Sequence, residues 1–141
     1  MKLFSKLRKM KILLIDDDEW IRDSLGIYFE GEGCQLVALE TAEEGLEAFK
    51  KQGYDIVMVD YRLPGMDGLE FLKRIQKTQP HTMKVLITAY RSKEVVSASL
   101  KMGIQDFIEK PFTTKTIEES LSRLIENHEQ EINKDHVNPS E

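Results

Sequence analysis

Short apolar runs punctuate an otherwise polar chain at 12–15 (ILLI), 36–39 (LVAL), 56–59 (IVMV), 85–87 (VLI) and 107–108 (FI). They recur every ~20–25 residues, and runs this continuous suit strands covered on both faces. Between them the apolar period lengthens. Ile21, Leu25, Tyr28 and Phe29 follow i, i+4, i+7, i+8 and predict a helix stopped by Gly31 and Gly33. Ala42, Gly45, Leu46 and Phe49 mark a second helix, with Thr41 as its N-cap and Gly53 as its stop. Leu69, Leu72 and Ile75 line a third, which ends before Pro80. Val95, Ala98, Ser99 and Met102 mark a weaker fourth ending at Gly103, and Ile117, Leu121, Leu124 and Ile125 mark a fifth. Five strand–helix units with short connections predict an α/β fold, a parallel sheet with helices on both faces.

In such a sheet, ligands bind outside the carboxyl ends of the strands. Asp16, Asp17 and Asp18 follow the first strand, Asp60 ends the third, Thr88 the fourth and Lys110 the fifth. Crowded carboxylates repel: a pair ~4 Å apart at an effective dielectric near 20 costs roughly 4 kcal/mol. Oxygen ligands call for a hard cation, and a few carboxylates with water suit Mg²⁺. Lys110 adds an ammonium and Thr88 a hydroxyl donor, so the rim suits a phosphoryl group. Each group has a plainer reading alone. Asp18 fits the N-cap of the next helix, Asp60 a turn, Thr88 a strand end, and Lys110 a surface charge. Their conjunction at the correct strand ends carries the functional reading.

Composition narrows the class. The 141 residues suffice for one core, and 40% apolar with 32% charged residues reads as a globular chain. A formal charge of −5 argues against non-specific DNA binding. The single Cys34 excludes an internal disulfide and reads as a buried thiol. No apolar run approaches ~18 residues, so no stable membrane insertion is expected, and a cytoplasmic location follows. Residues 1–10 form a basic extension without the apolar core of a signal peptide. Leu3, Phe4, Leu7 and Met10 hint at an apolar face there, but a frayed segment is the expectation. Residues 128–141 form a polar tail, expected to prolong the last helix a little and then disorder. His81, His128 and His136 show no ligand spacing and read as exposed.

The stretches "ILLIDDDE", "YDIVMVDYRLPGMDGLEFL", "VLITAY" and "FIEKPF" make residues 11–127 resemble the receiver domain of bacterial two-component response regulators. The resemblance implies a doubly wound, flavodoxin-like sheet of five strands in the order 2-1-3-4-5, with five helices. It implies Asp60 as phosphoacceptor, with Thr88 and Lys110 contacting phosphoryl oxygens. Asp16, Asp17, Asp60 and the backbone carbonyl of Arg62 would hold Mg²⁺. Ala89 would leave room beside the phosphate, and Lys110–Pro111 would be a cis peptide. Thr88 would move toward the phosphoryl group and Phe107 would fill the vacated space, remodelling the face of the fourth helix, fifth strand and fifth helix. The implied partners are a histidine kinase or histidine phosphotransfer protein and a downstream protein target, with no direct DNA contact by a monomer or weak dimer. Lys101, Asp106 and Arg123 offer charges for self-association, though solvated charges are the plainer reading. The role is that of a phosphoacceptor promoting its own transfer, not an enzyme with a separate substrate. Some 14 residues follow the domain, too few for a DNA-binding module, so the expectation is either a stand-alone regulator acting through protein contacts or the receiver piece of a longer chain.

The resemblance implies that Arg62 and Tyr90, two residues beyond Asp60 and Thr88, border the path of the attacking water; both are bulky, so a slowly hydrolysed phosphoaspartate is expected. Trp20 reads as a helix-packing residue beside the acidic cluster. Two other readings compete. "ILLIDDDEW" is close to the opening motif of haloacid-dehalogenase-type phosphohydrolases, with Asp16 as nucleophile and Asp18 as acid, but Trp20 stands where Thr or Val belongs and a later acidic pair is missing. A degenerate receiver serving only as a binding module is the other, and it loses weight because the site groups are all present.

Overall fold

The computed structural model describes residues 2–137, with side chains through residue 133. Its elements are α1 (Leu3–Leu7), β1 (Lys11–Ile15), α2 (Glu19–Gly31), β2 (Gln35–Leu39), α3 (Ala42–Lys51), β3 (Ile56–Asp60), α4 (Gly68–Thr78), β4 (Met83–Thr88), α5 (Lys93–Lys101), β5 (Asp106–Glu109) and α6 (Thr114–Val137). All pairings in the sheet are parallel, in the order β2-β1-β3-β4-β5.

Strand alternation divides the core in two. Ile12, Leu14, Met58, Val85 and Ile87 face Leu25 and Phe29 of α2 and Ile117, Leu121 and Leu124 of α6. Leu13, Ile15, Val57, Val59 and Leu86 face Phe49 of α3, Phe71, Leu72 and Ile75 of α4, and Val95 of α5. Every residue of β3 and β4 is buried, including the polar Asp60, Lys84 and Thr88 beside their apolar runs. The edge strand β2 departs from the both-faces expectation: Gln35 and Val37 are exposed, because only one side of that strand has a neighbour.

Local chemistry sets the helix ends. Asp18 caps α2 by accepting from Trp20 N and Ile21 N, as expected. Thr41 and Glu44 form a reciprocal capping box on α3. Asp67 caps α4 and Ser92 caps α5. Gly33 and Gly103 adopt positive φ behind α2 and α5. Gly53 does not end α3, because the backbone is already extended at Gln52.

The N-terminal segment is not frayed, and the helices number six among the described residues rather than five. The sixth is α1, whose Leu7 is fully buried while Leu3, Phe4 and Met10 pack against the α2–α6 side of the core. Phe4 meets Tyr28 edge-on at 6.0 Å between ring centroids, and Lys6 Nζ donates to both carboxylate oxygens of Glu129 at 2.7 Å. That ion pair lies in the segment expected to be tail, where α6 continues to Val137. His128 is half-buried there rather than exposed, and His81 is exposed. The expectations for the His136 side chain and for disorder at the chain end lie outside the described residues. Cys34 is buried, as expected. Trp20, by contrast, is 75% exposed on the outer face of α2 and packs against nothing in the core. Among the described residues, no helix is long and apolar enough to cross a membrane.

Candidate functional site

The site is built at the carboxyl ends of β1, β3, β4 and β5. Asp16 continues β1 and pairs through its N–H with Leu39 O of β2 at 3.0 Å. Its side chain is fully buried. Asp16 Oδ1 accepts from Asp18 N at 2.9 Å, and Arg22 Nη1 donates to Asp16 O at 2.9 Å, so α2 holds the acidic loop from beneath. Asp17, between these anchors, is exposed. Asp60 ends the fully buried β3, opposite Ile87 of β4. One oxygen each from Asp16, Asp17 and Asp60 lies within 4.8 Å of the others.

Lys110 reaches this cluster from the end of β5. Its Nζ is 2.9 Å from Asp60 Oδ2 and 3.0 Å from Asp16 Oδ2. The contact to Asp60 is a hydrogen bond. The contact to Asp16 is ionic but misaligned, leaving Asp16 Oδ2 buried without a hydrogen-bond donor. Lys110 N donates to Thr88 O at 2.8 Å, which ties the lysine to β4, and the Lys110–Pro111 peptide is cis.

These environments shift the site's protons. Burial pushes the Asp60 carboxyl up from 3.8 to about 6; the Lys110 hydrogen bond opposes this, and the Asp16 charge adds to it. Burial acts to lower the Lys110 pKa, but its hydrogen bond to Asp60 and its close ionic contact with Asp16 outweigh that and hold it above the ordinary lysine value.

The other predicted residues fall around this centre. Thr88 is buried, and its hydroxyl donates to Tyr90 O at 3.0 Å while accepting from Tyr90 N at 3.1 Å. Its single proton is therefore engaged in its own turn. Ala89, Pro111 and the side chains of Arg62 and Tyr90 are exposed, and Arg62 N approaches Asp60 Oδ1 at 3.4 Å. Phe107 is half-buried on β5. Asp106 accepts from Ser120 and from Arg123 Nη2, the latter at 3.0 Å, so these charges are satisfied within the chain.

Two supporting residues escaped the sequence reading. Arg22 is one; its i, i+6 link to Asp16 has no periodic signature. Gly68 is the other. A Cβ there would collide with the Asp60 carbonyl oxygen, so only glycine lets the start of α4 sit against the end of β3. The glycine directly after the Asp67 cap in "GMDGLEF" was the available signal.

The acceptor set fits a divalent cation: three carboxylates converge, all offer hard oxygens, and a buried oxygen of Asp16 lacks a hydrogen-bond donor. Comparison with known proteins agrees with this arrangement. The family model of the response regulator receiver domain matches residues 12–122. The chain is 37% identical over 118 residues to the uncharacterized transcriptional regulatory protein YkoG of Bacillus subtilis, covering 84% of this chain and 50% of that one. It is 30% identical to sporulation initiation phosphotransferase F of Bacillus subtilis, covering 82% of this chain and 93% of that protein. Among solved structures, a CheY-like receiver domain protein from Methanospirillum hungatei superposes with a TM-score of 0.74 at 32% identity, over 84% of this chain and 98% of that one. The chain spans half of YkoG and about a third of a cyclic di-GMP phosphodiesterase of Thermotoga maritima that it also matches. With the sheet order, the acidic cluster and its lysine in place, these matches establish that the chain belongs to the response regulator receiver domain family.

Proposed function

We propose that this chain is a phosphorylation-activated signalling switch that accepts a phosphoryl group on Asp60 from a histidine kinase or histidine phosphotransfer protein. The observation that carries the reading is the buried Asp60 carboxylate set between Lys110 and two further aspartates. Asp16, Asp17, Asp60 and the Arg62 carbonyl would hold Mg²⁺. That ion would supply charge neutralisation for phosphate oxygens and offset the repulsion among the carboxylates. An oxygen of Asp60 attacks phosphorus in line, the P–N bond to the donor histidine breaks, and the imidazole leaves. Lys110 pairs with a phosphoryl oxygen. Thr88 exchanges its bond to Tyr90 O for another, and Phe107 follows into the space, altering the face of α5, β5 and α6. A downstream protein reads that face. The acidic balance of the chain supports a protein rather than DNA as the direct partner of this segment. The role is phosphoacceptor, with the chain's own residues promoting transfer and slow loss of the group.

The phosphohydrolase reading places the nucleophile at Asp16. It is disfavoured by the family match and by the engagement of Asp16 with Lys110, Asp18 and Arg22. Initial rates of labelling by acetyl phosphate test the proposal. Labelling should require Mg²⁺, stop with chelator, and fall at least roughly tenfold in Asp17→Asn, since losing even a group that only supports a metal ligand typically costs roughly tenfold or more. Chelator-insensitive labelling would contradict it.

A further inference from the structure

The Arg91 guanidinium lies over the Phe107 ring, 4.8 Å from its centroid. Arg91 is exposed, and Phe107 is half-buried against the core side formed by α3, α4 and α5. Arg91 directly follows the turn in which Tyr90 O and Tyr90 N engage the Thr88 hydroxyl. The two arms of the switch therefore meet in one short segment: residue 88 is tied to residue 90, and residue 91 covers residue 107.

We infer that Arg91 is a positioning residue that latches the resting state by stacking on Phe107. The inference rests on the proposed phosphorylation of Asp60. In the resting arrangement Thr88 is held by Tyr90, and the Phe107 face is capped by a cation that gains from the ring quadrupole. When Thr88 turns toward a phosphoryl group, its bonds to Tyr90 break and the turn carrying Arg91 is released. Phe107 moves inward and leaves the guanidinium. The stack exists on one side of this equilibrium only, so it opposes activation by whatever it contributes. A simple charge argument predicts the opposite sign, because a cation near the site should favour an incoming anion.

Calorimetric titration of the full chain with beryllofluoride, in excess Mg²⁺, separates these. Arg91→Gln should tighten binding about two- to fivefold, the scale of an exposed cation–π contact. Arg91→Lys should fall between that variant and the wild type. In a Phe107→Leu background, Arg91→Gln should change nothing. Unchanged or weakened binding in Arg91→Gln overturns the latch, as does an equal gain with Phe107→Leu present. Wild-type protein that binds no beryllofluoride overturns the Asp60 reading itself, and the latch with it; wild-type binding without an Arg91 effect overturns the latch alone.

Discussion

At the scale of single residues, the site stores electrostatic cost. Asp60 is destabilised as an anion, because burial and Asp16 outweigh what Lys110 returns. Its folded pKa of about 6 stands above its ordinary value, so its contribution to stability is present below about pH 4 and is lost as pH rises through about 6. Asp60→Asn should therefore stabilise the Mg²⁺-free protein at pH 7. After allowance for solvent screening the gain is of order 1 kcal/mol, or roughly 3 °C in melting temperature. The difference from wild type should vanish near pH 4 and shrink at pH 7 when Mg²⁺ is added. Paired melting curves at the two pH values check it; equal stability at pH 7 would show that Asp60 carries no such cost. The acidic cluster was legible in the sequence because local position at strand ends was enough to align it. The stack of Arg91 on Phe107 was not, because it joins residues 16 apart in a geometry that only the β4–β5 pairing creates.

At the scale of elements, most of the fold follows from period and punctuation. The five long helices carry apolar spacings that match their buried faces, and Asp18 and Thr41 cap where expected. The element missed was α1. A five-residue helix has no stability of its own, since nucleation costs more than one turn returns. It forms because Leu7 is buried and Lys6 and Phe4 find Glu129 and Tyr28, contacts that chain position cannot reveal. Leu7→Ala should cost about 2–4 kcal/mol in denaturant unfolding, the range for a large-to-small change in a core. A loss below about 0.5 kcal/mol would mean that α1 does not dock. The same contacts support the continuation of α6, which is tied back to α1 through Glu129.

At the scale of the whole molecule, the parallel sheet brings residues 16, 60, 88 and 110 to one rim, and α5, β5 and α6 extend from that rim to an outer face. In the proposed function, phosphoryl chemistry and its readout would thus share β4 and β5. Sheet order was legible through resemblance rather than periodicity, because apolar runs specify strands without naming their neighbours. The most direct measurement is mass-spectrometric mapping of the phosphoryl group on intact, Mg²⁺-loaded protein after reaction with acetyl phosphate. One phosphoryl group on Asp60, absent in Asp60→Asn, is the predicted result; a group on Asp16, or a folded and Mg²⁺-loaded protein that acquires none, would contradict the account.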